Sequence, residues 1–206
     1  MLAAELSAGL AGLGLELTEG REAMLLGYLA LLVKWNKVYN LTAIREREKM
    51  LSQHLLDSLA VLPYLQGGNI LDVGSGGGLP GMPLAIALPE KDITLLDSNQ
   101  KKTTFLKQAA IELKLANVKV VCERVENYRT EHKFDTIISR AFSDLASFVR
   151  LASHLCAPGG VMLAMKGVFP HEEAAQLPAD ARIEKVIPLN VPMLEAERHL
   201  VVMRAT

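Results

Sequence analysis

The residues of this chain best placed to do chemistry are five glycines within eight positions, in Asp72-Val73-Gly74-Ser75-Gly76-Gly77-Gly78-Leu79-Pro80-Gly81. Glycine permits positive φ and lets a ligand approach the backbone closely, at an entropic cost that a simple turn does not require. The segment follows a strand pattern and opens a helix, whose first N–H groups can meet a carboxylate or phosphate. Two ligand readings compete. Gly76-x-Gly78-x-x-Gly81 fits a dinucleotide fingerprint. Asp72-x-Gly74-x-Gly76-x-Gly78 fits an S-adenosylmethionine site, an acid followed by alternate glycines, in better register with the strand end. Asp97 ends the next strand about 20 residues on, where an acid binds ribose hydroxyls under either reading.

Other chemistry-bearing residues divide between function and packing. Arg124, Arg140, Lys166 and Arg198 are cations that would ordinarily be solvated. Three of them stand at ends of expected strands, the edge where open α/β sheets bind ligands, which raises function above solvation for Arg140 and Lys166 and less so for Arg198. Trp35 on an apolar helix face is expected in the core. Asn36 and Asn40 either bind a partner or tie the helix end. His54 and Asp57 stand at helix spacing, and a structural contact is expected of them. Phe142 either stacks on a base or packs on the following helix. Lys101, Lys102 and Lys107 are expected at the surface. Cys122 and Cys156 form no C-x-x-C, the five histidines lack ligand spacing, and both cysteines are expected to be buried small hydrophobes.

The elements that must position these residues fall into two regimes. From Leu2 to about Leu65 the pattern is helical. Leu25, Leu29, Leu32, Trp35 and Tyr39 recur at helix spacing, with Thr18 as N-cap. A second helix is expected over about His54–Leu65. Beyond Gly67-Gly68, short apolar strands alternate with helices. Strands are expected at 69–73, 92–97, 118–121, 134–138 and 161–165, with helices at 83–88, 101–115 and 145–156. That alternation implies a parallel sheet covered on both faces. Ile183–Val191 and His199–Met203 read as a closing antiparallel pair, and 169–181 as a short helix and loop. Such an ending lacks a second mononucleotide half and favours the S-adenosylmethionine reading of the turn.

Composition is that of a soluble globular domain. The chain has 206 residues, half of them hydrophobic, with 22% charged and a formal net charge of -1. This length buries a full core without disulfides or metal. A near-neutral balance excludes a protein that coats nucleic acid with its whole surface, so any such contact is a local patch. The longest apolar run, Met24–Val33, is far shorter than a membrane span of roughly 20 residues. The expectation is a cytoplasmic protein without membrane contact.

Taken together, the segments resemble the bacterial 16S rRNA guanine-N7 methyltransferase family, once called glucose-inhibited division protein B. The resemblance covers nearly the whole chain. It rests on Lys34-Trp35-Asn36-Lys37-Val38-Tyr39-Asn40-Leu41-Thr42, His54-Leu55-Leu56-Asp57-Ser58, the Asp72–Gly81 turn and Leu96-Asp97-Ser98 with Lys101. Arg124-Val125-Glu126, Ser139-Arg140-Ala141-Phe142, Lys166-Gly167 and Glu197-Arg198-His199-Leu200 complete it. It implies a Rossmann-like class I S-adenosylmethionine methyltransferase sheet, mostly parallel with an antiparallel final strand. Residues 1–66 would form a helical extension and 67–206 the methyltransferase domain, packed as one compact unit. Gly74 and Leu79 would line the cofactor's methionine side, with Asp72, Gly76 and Gly78 in the same turn. Asp97 would hold its ribose, Val125 and Glu126 would flank its adenine, and Arg140 would sit beside the cofactor and target base. Gly77 stands where many members carry proline, which implies a slightly looser loop.

The implied partner is 16S rRNA, free or in the small ribosomal subunit, met by a monomer through Arg124, Arg140, Lys166, Arg198 and His199. Guanine N7 carries a lone pair and no proton, so its methylation needs no general base, and Arg140 and Lys166 would serve to place the base. Adenine amino-group methylation commonly uses an Asn/Asp-Pro-Pro-aromatic turn, but that slot reads Ser139-Arg140-Ala141-Phe142. The rivals are an NAD(P)-dependent oxidoreductase and a non-catalytic RNA-binding module with a relic pocket.

Overall fold

The computed structural model describes residues 1–142, 144–168, 171–174, 176–179 and 181–205. Helix α1 spans Leu2–Gly12 and α2 spans Glu19–Tyr39. Thr18 caps α2 by accepting from the Arg21 N–H, and Asn40 ends it in the left-handed conformation at φ 50°. The expected second helix starts earlier than its apolar pattern suggests, at α3 (Arg47–Met50). It runs through a π-helical turn over Leu51–Leu56 into α4 (Asp57–Leu59).

Seven strands among the described residues form one sheet in the order β3-β2-β1-β4-β5-β7-β6. They are β1 (Asn69–Val73), β2 (Asp92–Asp97), β3 (Val118–Cys122), β4 (Phe134–Ser139), β5 (Cys156–Lys166), β6 (Ala181–Pro188) and β7 (His199–Ala205). β1 to β5 are mutually parallel, and β7 runs antiparallel between β5 and β6. The connecting helices are α5 (Gly81–Ala87), α6 (Gln100–Glu112), α7 (Leu145–Ala152) and, after β5, α8 (His171–Ala174). β1, β2 and β4 are almost wholly buried, as strands covered on both faces must be.

Successive side chains alternate between the two faces. Ile70, Ile138, Leu163 and Val202 join one core with Leu6, Leu25, Leu29 and Leu55 of the N-terminal helices and Phe105 of α6. Leu71, Ile137, Met162 and Val201 join the other, under Phe148 and Val149 of α7. Trp35, expected in the core, packs against it but is only half-buried, stacked on Tyr39 at 5.3 Å and tilted against Phe105 at 5.7 Å.

Several expectations are corrected. The helix expected over 145–156 ends at Ala152, and after a 3₁₀ turn the chain is already in β5 at Cys156. Pro158-Gly159-Gly160 does not end a helix. It is extra chain between the pairs Phe134↔Cys156 and Thr136↔Val161, tolerated because β7 pairs with β5 only from Met162 onward. β6 lies at 181–188 rather than 183–191; its last ladder bond is from the Leu189 N–H to the Arg198 carbonyl, and Pro188 sits where its nitrogen faces the open edge of the sheet. Cys122 is exposed, not buried, since it ends the edge strand β3. Of the segment 169–181, His171–Ala174 is helical as expected, and residues 169, 170, 175 and 180 lie outside the described residues.

Candidate functional site

The strand order turns outward in both directions from β1 and β4: β2 and β3 lie on one side, β5 on the other. In open α/β sheets the crevice outside the carboxyl ends at such a switch point is where ligands bind. The glycine-rich turn fills that position. Gly74 and Ser75 both donate their N–H to the Leu96 carbonyl, which pins the turn to β2. Gly74 has φ 72°, and a Cβ there would lie 2.7 Å from the Ala141 Cβ, so only glycine allows this approach of β1 to β4. Ser139 locks the two strand ends from the other side, its hydroxyl donating to the Val73 carbonyl at 2.7 Å.

Asp72 lies fully buried beneath the turn. Its Oδ2 accepts from Gly81 N–H at 2.9 Å, and its Oδ1 holds no partner among the described residues. Burial pushes its carboxyl up to about 7, against the pull of the Gly81 N–H and Arg140. Gly78 and Leu79 donate to the Ser75 carbonyl, and Leu79 is packed in the core. The carbonyl of Gly77 accepts from the buried Tyr28 hydroxyl of α2 at 2.6 Å.

A cavity of about 280 Å³ opens beside this turn. Its apolar walls include Val73, Leu96, Val125, Phe142 and Leu151, and its acids are Asp97, Glu123 and Glu126. Asp97 is 8% exposed; its Oδ2 accepts from Gly76 N–H and its Oδ1 from Asn99 N–H. Each carboxylate oxygen keeps a second lone pair, so Asp97 can accept two further hydroxyl protons from a ligand. Apolar walls beside such an acid suit a flat base joined to a sugar. Arg124 stands exposed at the rim, 3.5 Å from Glu126. Phe142 also packs its ring 5.1 Å from that of Phe148 on α7.

One residue away the chain enters a different cavity, of about 330 Å³. Ala141 faces the first, whereas Arg140 lines the second with Gln53, His54, Asp57, Lys166 and Arg198. Arg140 Nη1 donates to Asp57 Oδ2 and to the Gln53 carbonyl, each at 3.1 Å, and Arg198 Nε donates to Asp57 Oδ1 at 3.1 Å. Lys166 Nζ is 2.9 Å from Glu173 of α8 and donates to the Phe142 carbonyl. His54 does not pair with Asp57; its Nε2 lies 2.8 Å from Thr42 Oγ1. Burial, and then Arg140, push its imidazole down to about 4, so it is neutral at pH 7. His199 Nδ1 lies 2.7 Å from the Gly167 carbonyl.

The structure therefore divides the expected site residues, His199 aside, among three places. Gly74, Asp97, Arg124, Val125 and Glu126 line the first cavity, and Arg140, Lys166 and Arg198 the second. Asp72, Gly76, Gly78 and Leu79 build the turn between core and cavity. Asn36 ties the end of α2, its Oδ1 accepting from Thr42 N–H, and Asn40 caps that end through its left-handed backbone. Sequence reasoning passed over Tyr28, Gln53 and Ser139. Each acts through a partner 49 or more residues away, and no local spacing signals that.

The sheet order, with β7 antiparallel beside β5, is that of Rossmann-like methyltransferases. The fold resembles an S-adenosylmethionine-dependent methyltransferase from Aquifex aeolicus, with TM-score 0.60 and 19% identity over 75% of this chain and 92% of that one. It also resembles one from Thiobacillus denitrificans solved with S-adenosyl-L-homocysteine, with TM-score 0.52 and 15% identity over 74% and 91%. Sequence narrows the class to a family. Residues 21–201 match the family described as GidB, rRNA small subunit methyltransferase G. Proteins named ribosomal RNA small subunit methyltransferase G from Laribacter hongkongensis and Chromobacterium violaceum are 64% and 60% identical. The matches cover 96% and 97% of this chain and 95% and 96% of theirs. The chain belongs to the rRNA small subunit methyltransferase G family.

Proposed function

We propose that this protein transfers a methyl group from S-adenosylmethionine to N7 of a guanine in 16S rRNA, acting as a cytoplasmic monomer on free RNA or the small ribosomal subunit. The observation that carries this reading is the pair of cavities on either side of the Arg140–Ala141 peptide, in a chain of this family. The first suits an adenosyl group: Asp97 accepts ribose hydroxyls, Val125 and Glu126 flank the base, and Gly74 leaves room beside the backbone. The second suits a nucleotide carrying phosphate, since its lining gathers Arg140, Lys166 and Arg198 with one carboxylate, Asp57, while Glu173 of α8 pairs with Lys166.

The cofactor supplies an activated methyl on a sulfonium. What remains for the chain is alignment, which can lower a barrier by about 7–11 kcal/mol in the best cases. Arginine donors suit the O6 edge of guanine, and N7 itself must stay clear. Arg140 and Lys166 are the groups proposed to hold O6 or a phosphate. His54 is neutral and engaged by Thr42, in keeping with a reaction that abstracts no proton.

Incubating the protein with radiolabelled S-adenosylmethionine and unmodified small-subunit RNA or particles, then digesting to nucleosides, tests the reading. Label is expected in N7-methylguanosine, and Asp97→Ala should weaken cofactor binding at least tenfold by calorimetry. No label in either RNA form would sink it.

A further inference from the structure

Asp57 is 2% exposed and carries two guanidinium groups, one on each carboxylate oxygen, at 3.1 Å apiece. Arg140 follows β4 and Arg198 precedes β7, so the three residues come from separate parts of the chain. The arginine side chains are 28% and 24% exposed, so a buried anion sits beneath two cations that reach the surface of one cavity. The π-helical turn over Leu51–Leu56 ends at Asp57. It presents the Gln53 carbonyl and the Asp57 carboxylate to the same Nη1 of Arg140. Such turns recur where a helix must re-aim side chains at a functional site. Among the described residues, Nε and Nη2 of Arg140 and Nη2 of Arg198 hold no partner.

A carboxylate so placed has two opposing effects. Its charge weakens the attraction of the cavity for phosphate. Its geometry fixes two planar donor forks whose remaining N–H groups then point in set directions. Were attraction alone required, the cavity would bind RNA better without it. We propose that Asp57 is a positioning residue: it trades electrostatic attraction for the orientation of Arg140 and Arg198, which together place the target guanosine. This rests on the methyl-transfer reading above and adds to it a residue that acts through Arg140 and Arg198.

The test is Asp57→Asn, which keeps the shape and removes the charge. Expected are a kcat for RNA methylation lowered at least tenfold, S-adenosylmethionine affinity within twofold of wild type, and RNA affinity unchanged or tighter. Combined with Arg198→Gln, it should cost far less than the product of the two single effects. A kcat within twofold of wild type, or a lowered kcat accompanied by an equal loss of cofactor affinity, would overturn the proposal. Should Asp57→Asn fail to fold by circular dichroism, Arg198→Lys carries the test, because it keeps the charge and loses the planar fork. Its kcat should fall severalfold at unchanged RNA affinity, and an unaltered kcat would overturn the proposal. Wild-type protein that labels no RNA refutes the methyl-transfer reading instead. An active wild type with an equally active Asp57→Asn refutes only the positioning role.

Discussion

Asp72 shows how one residue can belong to a binding motif without reaching the ligand cavity. Its place at the end of β1 is legible in the sequence as the acid before alternating glycines. Its full burial, with one oxygen on Gly81 and the other without a partner among the described residues, is not. With its folded value raised to about 7 by burial, the unfolded chain loses this proton first, near the ordinary carboxylate value of about 3.9. The native state binds more protons between those limits, so this group's contribution to stability is full below about pH 4 and is lost as pH rises to about 7. Asp72→Asn removes that loss. Thermal melts from pH 5 to pH 8 should show the variant gaining on wild type as pH rises. Parallel curves would mean the carboxylate stays ionised throughout.

Between elements, the contact that matters most is that of α2 with the glycine-rich turn. Tyr28 is fully buried and donates to Gly77, 49 residues away, so a helix outside the strand–helix alternation braces the loop beside the first cavity. Burial raises its phenol pKa, so it is a donor at any working pH. Losing one partner of a buried hydrogen bond costs about 1–3 kcal/mol. Tyr28→Phe should lower unfolding free energy in urea by about that much and weaken cofactor binding severalfold in calorimetry. An unchanged affinity would separate the brace from the pocket. The helical stripe of Leu25, Leu29 and Leu32 was readable from spacing, whereas the target of its one buried tyrosine depended on the turn that packs against it. Where local chemistry misled, as at Pro158-Gly159-Gly160, the residue types were right for a break but the break was a bulge inside β5.

On the scale of the whole molecule, helices α1 and α2 and one face of the sheet share a single apolar core. Leu29 is 1% exposed within it. Leu29→Ala should cost about 2–5 kcal/mol. If the N-terminal helices and the sheet unfold as one unit, Trp35 fluorescence and far-ultraviolet circular dichroism should give coincident transitions, both shifted by the substitution. Transitions that separate would make residues 1–66 an independently melting part. The second cavity requires this joint packing, since Gln53, His54 and Asp57 come from the helical region and Arg140, Lys166 and Arg198 from strand ends and the residues next to them.

Read alone, the chain specified the order of its strands and main helices, though not all their bounds, together with the glycine-rich turn and the acid at the end of β2. These follow from local spacing, from side-chain periods of two and 3.6, and from the conformational freedom of glycine. It also carried the pieces of family resemblance. Tertiary structure alone decided which cations would share one cavity, that Asp57 would hold Arg140 and Arg198 while His54 turned to Thr42, and that Asp72 would lie under the turn instead of in the pocket. The reason is physical: an ion pair or buried hydrogen bond between residues 83 or 141 positions apart leaves no periodic trace, because its partners are chosen by the packing of whole elements.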